Sequence, residues 1–477
     1  MNYTKIIYYQ FLAVLLLAYY CVPARIKWVV LLAGSMVFYY LAVKSPLLIG
    51  AFLAMIILNY GFGVLIERTR SKAAMAAGVI LTAAPLLTFK ASEYGALSLI
   101  TGSGHSLILP LGASFFSLQM IAYLVDVYKG KIEAQKNPFK YALFISFFPH
   151  IIQGPIPRYG QLGAQLLTPH KFEPENLVKG FHLILWGSFL KFMIADKAGV
   201  VVDAVFENTG KYQGMFVLVA GALYSLQLYT DFMSCTYMSR GAARCMGIDV
   251  INNFEHPYFA TSIKDFWRRW HISLSTWLRD YVYIPLGGNR RGKFFKYVNL
   301  VLTFAVSGIW HGGSLKFLFW GLLHAFYQIT GEFTYRVRER LYSAAKIEKG
   351  SYLKHIFKSA GTFFFAMTAW IIFRADSLKT ALQMIRSMFT VHNYWVFWDD
   401  SLLSLGLDWK EWVVLLQSLA LLFAISFIQT KLSVSNWILR QHIIVRWTVC
   451  IGAVLAIMIF GTYGFGYDAK DFIYGGF

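Results

Sequence analysis

Charge is what this chain has least of. Charged residues fill only 14% of its 477 positions, where a soluble domain averages ~25%, and that deficit excludes an ordinary globular enzyme. Acidic residues are the scarcest class, 24 against 44 Lys and Arg. Cysteine is rare as well: Cys21, Cys235, Cys245 and Cys450 are scattered, mostly within apolar runs, with neither metal-type spacing nor a disulfide framework. No small-residue cleavage site follows the first apolar run, Ile6 to Val22, so that run reads as a span and not as a removed signal peptide. Internal repeats, low-complexity tracts and a separate soluble domain are absent too.

What remains is 57% hydrophobic and 18% aromatic, the composition of an all-α polytopic membrane protein forming one helical body over residues 1–477. A spanning helix needs ~20 apolar residues. Candidates are 6–22, 28–43, 46–66, 73–89, 107–127, 178–196, 214–232, 356–373, 412–430 and 443–464. The net charge of +20 sits in short loops between these runs, which is how orientation is encoded in a bilayer; it calls for membrane lipid as a partner and not for nucleic acid. Arg25 and Lys27 after the first span, and Glu67 to Lys72 after the third, put both loops in the cytoplasm and the N-terminus outside. The same count leaves Tyr467 to Phe477 outside, so both termini are expected to be extracytoplasmic.

Two stretches do not behave as simple spans. If 139–157 crossed, the basic region 264–296 would fall outside, against the charge rule. FKYALFISFFPHIIQGPIP is therefore expected to enter and return. Pro149, Pro155 and Pro157 with Gly154 break its helix, which is tolerated only where protein or a cavity covers the backbone. The second is Tyr297 to Ile329, YVNLVLTFAVSGIWHGGSLKFLFWGLLHAFYQI, two apolar runs meeting at Trp310-His311-Gly312-Gly313. Basic segments on both sides place both ends in the cytoplasm. A first arm of about fourteen residues reaches ~21 Å at 1.5 Å per residue, against a hydrocarbon core of ~30 Å, so the turn is expected to stop inside the bilayer.

An ionisable group at that depth is costly and reads as functional by default. His311 is therefore the first candidate site residue. A buried histidine is often only a satisfied core side chain; membrane depth, the Gly312-Gly313 break and His324 on the second arm argue for more. Gly321, His324 and Gln328 share a helical face there. A neutral imidazole can take the proton of an attacking hydroxyl, which is general-base work. No activated Ser or Cys, no HExxH and no paired-carboxylate spacing accompanies it, so metal and glycosidase chemistry are not expected, and direct acyl transfer is the simplest chemistry available.

Just before the hairpin, KDFWRRWHISLSTWLRDYVYIPLGGNRRGKFFK (Lys264 to Lys296) carries eight Lys or Arg against two Asp. At ~100° per residue, Lys264, Arg268, His271, Ser275 and Arg279 fall on one helical face. This is either an amphipathic helix lying on anionic lipid or a cationic lining at a cytoplasmic entrance. The lining would suit a phosphorylated donor such as a coenzyme A thioester. Arg268, Arg269, Arg279, Arg290 and Arg291 are the candidate donor-binding set.

The strings NNFEHPYFATSIKDFWRRWHISLSTWLRDYVYIPLGGNRRG and SGIWHGGSLKFLFWGLLHAF, with SFFPHIIQGPIPRY upstream, resemble the membrane-bound O-acyltransferase (MBOAT) family. Within it they look most like the bacterial branch of alginate O-acetylation and teichoic-acid D-alanylation, the alginate-type subgroup above all. The match covers about a third of the chain and centres on a core motif region, 224–330. The resemblance implies His311 as catalytic histidine, His271 as the second, and an MBOAT-type helical body with re-entrant segments around a central tunnel, which Trp310, His324 and Gln328 would line. It further implies an acyl-CoA donor, acetyl-CoA above all, entering from the cytoplasm of a bacterial inner membrane, with no resident cofactor. The acyl group would leave for an extracytoplasmic polysaccharide through an SGNH-type acetyltransferase partner. TDFMSCTYMSRG departs from the alginate-type pattern, with Tyr237 in place of an Asp and Arg240 in place of an apolar residue, and His150 stands where Gln is usual; these bear on the acceptor. The tail, 465–477, ends FIYGGF, similar to an ending in which the tyrosine is an acyl relay; Tyr474 is that relay or an interfacial anchor. The other readings are acylation of lipid or protein, and a non-enzymatic transporter of a small anion.

Overall fold

The computed structural model describes residues 3–93, 109–348 and 350–463; Tyr474 and the rest of the tail lie outside the described residues. Among those residues the secondary structure is helical throughout. Seven helices are long and apolar enough to cross a membrane: Ala24–Val43, Pro46–Thr69, Lys72–Ser92, Met215–Cys245, Tyr352–Arg374, Trp409–Gln429 and Ile443–Phe460. The expected spans at 6–22 and 107–127 appear as shorter apolar helices, Ile6–Cys21 and Ala113–Tyr128. The protein is thus an all-α, multi-pass membrane protein. Two compact units are distinguished, one of residues 3–188 with 234–252, the other of 189–233 with 253–463.

In the first unit the segment expected to enter and return holds only a nine-residue helix, Pro138–Ser146, ~14 Å long at 1.5 Å per residue. Pro138 at its first turn and the Asn137 side chain, which accepts from the amides of Phe139 and Lys140, start it. Past Phe147 the freed backbone finds partners from other helices. The Ser35 hydroxyl accepts from the Phe148 amide at 3.1 Å, the Gln119 amide donates to the Phe144 carbonyl at 2.8 Å, and Tyr3 donates to the carbonyls of Phe148 and Pro149 at 3.2 Å. Irregular backbone in an apolar medium needs this cover. The substituted positions Tyr237 and Arg240 also lie here. The guanidinium of Arg240 sits 5.6 Å from the Tyr237 ring and donates to the Val250 carbonyl and Asn252.

Two expected span boundaries are corrected. The span foreseen at 178–196 is a helix, Pro174–Phe189, running into a π turn, Leu190–Ala195, and then Asp196–Phe206. Lys191 in that turn is 3% exposed and lies 2.7 Å from Asp231 and 3.0 Å from Asp196. The span foreseen at 214–232 runs on past its expected end; the helix Met215–Cys245 continues for 31 residues, with Asp231 inside it paired to Lys191. The π turn also offers the Phe192 carbonyl to the amide of Thr462, at 3.0 Å, just beyond the last helix.

The hairpin is formed by Lys293–His311 and Leu315–Phe333, each of 19 residues. Its first arm is longer than expected because the helix starts at Lys293, after Gly292 with φ +91°, and not at Tyr297. The full arm is ~28 Å and its apolar part from Tyr297 ~22 Å, so length alone does not set the depth of the turn. Glycine allows the two arms to touch backbone to backbone. A β-carbon on Gly321 would collide with the Phe304 carbonyl oxygen, and one on Gly308 with that of Phe317. Gly321→Ala is expected to destabilise the hairpin by about 1–3 kcal/mol or more through overpacking. Thermal unfolding in detergent measures this, and an unchanged midpoint would mean that the arms separate freely.

Candidate functional site

His311 is the last residue of the first hairpin helix, and the Gly312 amide bonds back to the Gly308 carbonyl at 3.3 Å. Gly312 is needed at this corner because a β-carbon there would run into the Phe317 ring. The imidazole is 2% exposed. Trp310, Trp320 and Phe373 surround it edge-on, with centroids 4.7, 5.0 and 5.4 Å away. Such a shell excludes water and fixes the ring, which is what a general base in an apolar site requires.

His271 reaches the same place from another element. Its ring stands 6.2 Å from that of Trp310 and 4.7 Å from that of Phe232, so Trp310 lies between the two histidines. The single helical face expected from Lys264 to Arg279 is not formed. The helix stops at Arg269, restarts at Ile272, and His271 between them takes φ +44°, a left-handed conformation uncommon outside glycine. Asn253 causes the break: its carbonyl accepts from the Ile272 amide at 2.9 Å and its side chain from the Ser273 amide at 3.0 Å. These are two of the amides that a helix start leaves without partners. Composition and periodicity had passed over Asn253; it opens the quoted NNFEHPYF string at its second letter. Asn253→Ala should cost about 1–3 kcal/mol for the buried amide left unsatisfied and lower activity through misplacement of His271. An Asp in its place, which still accepts, should restore much of both, and Ala behaving like wild type in melting and turnover would disprove the clamp.

Beside this cluster lies a cavity of about 1600 Å³. Trp267, Phe304, Tyr327 and Gln328 form part of its wall. Of the expected cationic set, Arg268 and Arg279 line it. Arg269 turns instead to Asp265, at 3.1 Å, and to the Glu255 carbonyl, while Arg290 and Arg291 are exposed in the turn before Gly292 and outside the lining. That turn is tied to the hairpin by the Asn299 side chain, which donates to the Gly288 carbonyl at 2.8 Å. Lys264, Lys296, Arg338 and Lys358 complete the cationic lining. The last two come from the stretch after the hairpin, where sequence had recorded the charge only as a topological marker.

Some of these cations already have partners. Arg268 is 2.8 Å from Asp265, Arg279 is 2.8 Å from Asp280 and Lys296 is 2.7 Å from Glu332. Glu339 binds Lys354 at 2.8 Å and Lys358 at 3.0 Å, and those two lysines, Lys354 foremost, hold its carboxyl down at about 2. A depressed carboxyl contributes stability above its ordinary value of 4.5 and loses it as pH falls through about 2; the pair is thus intact at all physiological pH.

The expected lining divides between wall and interior. Gln328 faces the cavity. Trp310 packs between the histidines, and His324, 0% exposed, lies behind Trp267, whose indole N–H donates to its Nδ1 at 3.2 Å. Trp320 joins the two layers, 5.0 Å from His311, 4.9 Å from His324 and 5.8 Å from Trp267. Two rings in succession therefore stand between the cavity and His311, Trp267 in the wall and Trp320 behind it.

Residues 134–358 match the family model for the membrane-bound O-acyltransferase family, MBOAT. The chain is 35% identical over 401 residues to a probable alginate O-acetylase AlgI of Azotobacter vinelandii, covering 81% of this chain and 77% of that protein. It is 34% identical over 429 residues to a peptidoglycan O-acetyltransferase of Helicobacter pylori, covering 81% and 79%. A teichoic acid D-alanyltransferase of Bacillus subtilis is 32% identical over 232 residues, 46% of this chain and 58% of that protein.

Proposed function

This chain belongs to the membrane-bound O-acyltransferase family, and on that premise we propose that it is an O-acetyltransferase for a cell-surface polysaccharide, with His311 as its general base. The donor is a thioester, acetyl-CoA by class, entering from the cytoplasm. The acetyl group leaves on the far side of the bacterial inner membrane toward an SGNH-type partner. The observation that carries this reading is a buried imidazole at the corner of a hairpin, behind Trp320 and Trp267 from a large cavity with a cationic lining. Lys264, Arg268, Arg279, Lys296, Arg338 and Lys358 suit the phosphates of a nucleotide thioester, and the closed ring shell at His311 suits an acyl group as small as acetyl. Relatives named for alginate and peptidoglycan O-acetylation support a glycan as acceptor.

The chemistry needs little else. His311 takes the proton of an acceptor hydroxyl as that oxygen attacks the thioester carbonyl, and returns it to the departing sulfur. His271 acts through Trp310 and is a positioning residue. Purified protein in vesicles, given labelled acetyl-CoA, is expected to transfer label to acceptor, and His311→Ala to slow the transfer by about 10²–10⁴-fold. Uptake of a small anion without thioester turnover would instead fit a transporter. Glu339 provides a separate check on the entrance. Glu339→Gln removes a negative charge from the cationic lining and should lower the KM for the donor; a raised KM would place the phosphates elsewhere.

A further inference from the structure

Buried hydrogen-bond donors normally have acceptors, and those that do not call for an explanation. Two side chains beside His311 stand out. An indole N–H can only donate, so the bond from Trp267 to Nδ1 of His324 makes that nitrogen the acceptor and puts the proton of the neutral ring on Nε2. The ring is 0% exposed, and Nε2 has no acceptor among the described residues. The indole N–H of Trp320, also 0% exposed, has none either. Both sit on one helix, Leu315–Phe333, four residues apart, with rings 4.9 Å from each other. The Trp320 ring is 5.0 Å from that of His311, and Trp267, which fixes the proton on His324, forms part of the cavity wall.

We propose that Trp320 Nε1–H and His324 Nε2–H form the oxyanion site of this enzyme, binding the acyl carbonyl oxygen of the thioester donor. The inference rests on the reading of His311 as general base. In the step it describes, the acceptor hydroxyl oxygen forms a bond to the thioester carbonyl carbon while His311 takes the hydroxyl proton. The carbonyl electron pair moves to oxygen, and that oxyanion is held by the two N–H groups. Collapse restores the C=O bond and breaks the C–S bond, and the proton passes from His311 to the leaving thiolate. Donors held in place before the reaction, in a site closed to water, stabilise this charge without reorganising. The arrangement gives a use to two of the N–H groups without acceptors in this apolar ring cluster, that of Trp370, stacked on Trp320, being another, and to the placing of Trp267, which holds one tautomer.

The test uses the full-length protein in vesicles with acetyl-CoA. His324→Leu and Trp320→Phe each remove one donor and keep an apolar side chain in the cluster. Each is expected to lower kcat by about 10²–10³-fold with the donor KM unchanged. His324→Gln, which keeps a donor, should recover part of the loss. Should His324→Leu fail to fold, Trp320→Phe decides alone, since it keeps an aromatic ring. Wild-type kcat in both variants, or a change confined to KM, overturns the oxyanion site. If His311→Ala is inactive while these variants turn over normally, only this inference fails; if His311→Ala is active, the reading beneath it fails too.

Discussion

Substitution of His311 by alanine is expected to lower kcat by about 10²–10⁴-fold, the range lost with a general base, and to leave the donor KM nearly unchanged. The split follows from the geometry. The cavity proposed to take the donor is bounded by Trp267, Phe304 and Gln328, and His311 lies outside its lining, behind Trp320. On the proposed reading, loss of the imidazole removes proton transfer and leaves the cavity wall in place. Alanine leaves a gap among Trp310, Trp320 and Phe373, so His311→Gln is the companion variant: it restores volume and hydrogen bonding but not basicity. Both should be equally slow, with unfolding midpoints closer to wild type for Gln. A Gln variant with near-wild-type turnover would show that the imidazole only fills space, and the base would have to be sought elsewhere.

The largest loss of stability is expected at Lys191. Its ammonium lies between Asp231 at 2.7 Å and Asp196 at 3.0 Å, and all three residues are buried. A buried ion pair is no strong source of net stability, because desolvation offsets much of the attraction, yet removal of one partner is severe. Lys191→Met withdraws the cation from two carboxylates inside an apolar helix cluster. The cost should be about 3–5 kcal/mol, read as a loss of folded protein in detergent or a large drop in unfolding midpoint. Replacing Asp196 and Asp231 by Leu in the same chain should recover much of it, since no buried charge then remains. If Lys191→Met alone melts like wild type, the cluster is not desolvated as its burial implies.

Much of this protein was legible in its sequence. Hydropathy and charge are sums over neighbouring residues, so the membrane class, most spanning helices, the broken segment after Pro138 and the hairpin with His311 at its corner were readable directly. The quoted motif strings likewise led to the family. Tertiary structure decided whatever depends on residues distant in sequence. Asn253 breaks the helix at His271, a conformation that no 3.6-residue period signals. Lys191 meets Asp196 and Asp231 in a buried ion cluster that hydropathy does not signal. Arg338 and Lys358 enter the cavity lining while Arg269 turns to Asp265, because ion pairs and packing, not charge counts, choose which cation faces the cavity. The same holds for His324: sequence placed it on a polar face, but only the indole of Trp267 across the helix packing assigns its proton. The sequence by itself determined the membrane class, most of the apolar helices and the place of His311 at the corner of a helical hairpin. The fold alone decided what surrounds that imidazole, since capping, ion pairing and ring contacts are made between segments that local patterning cannot bring together.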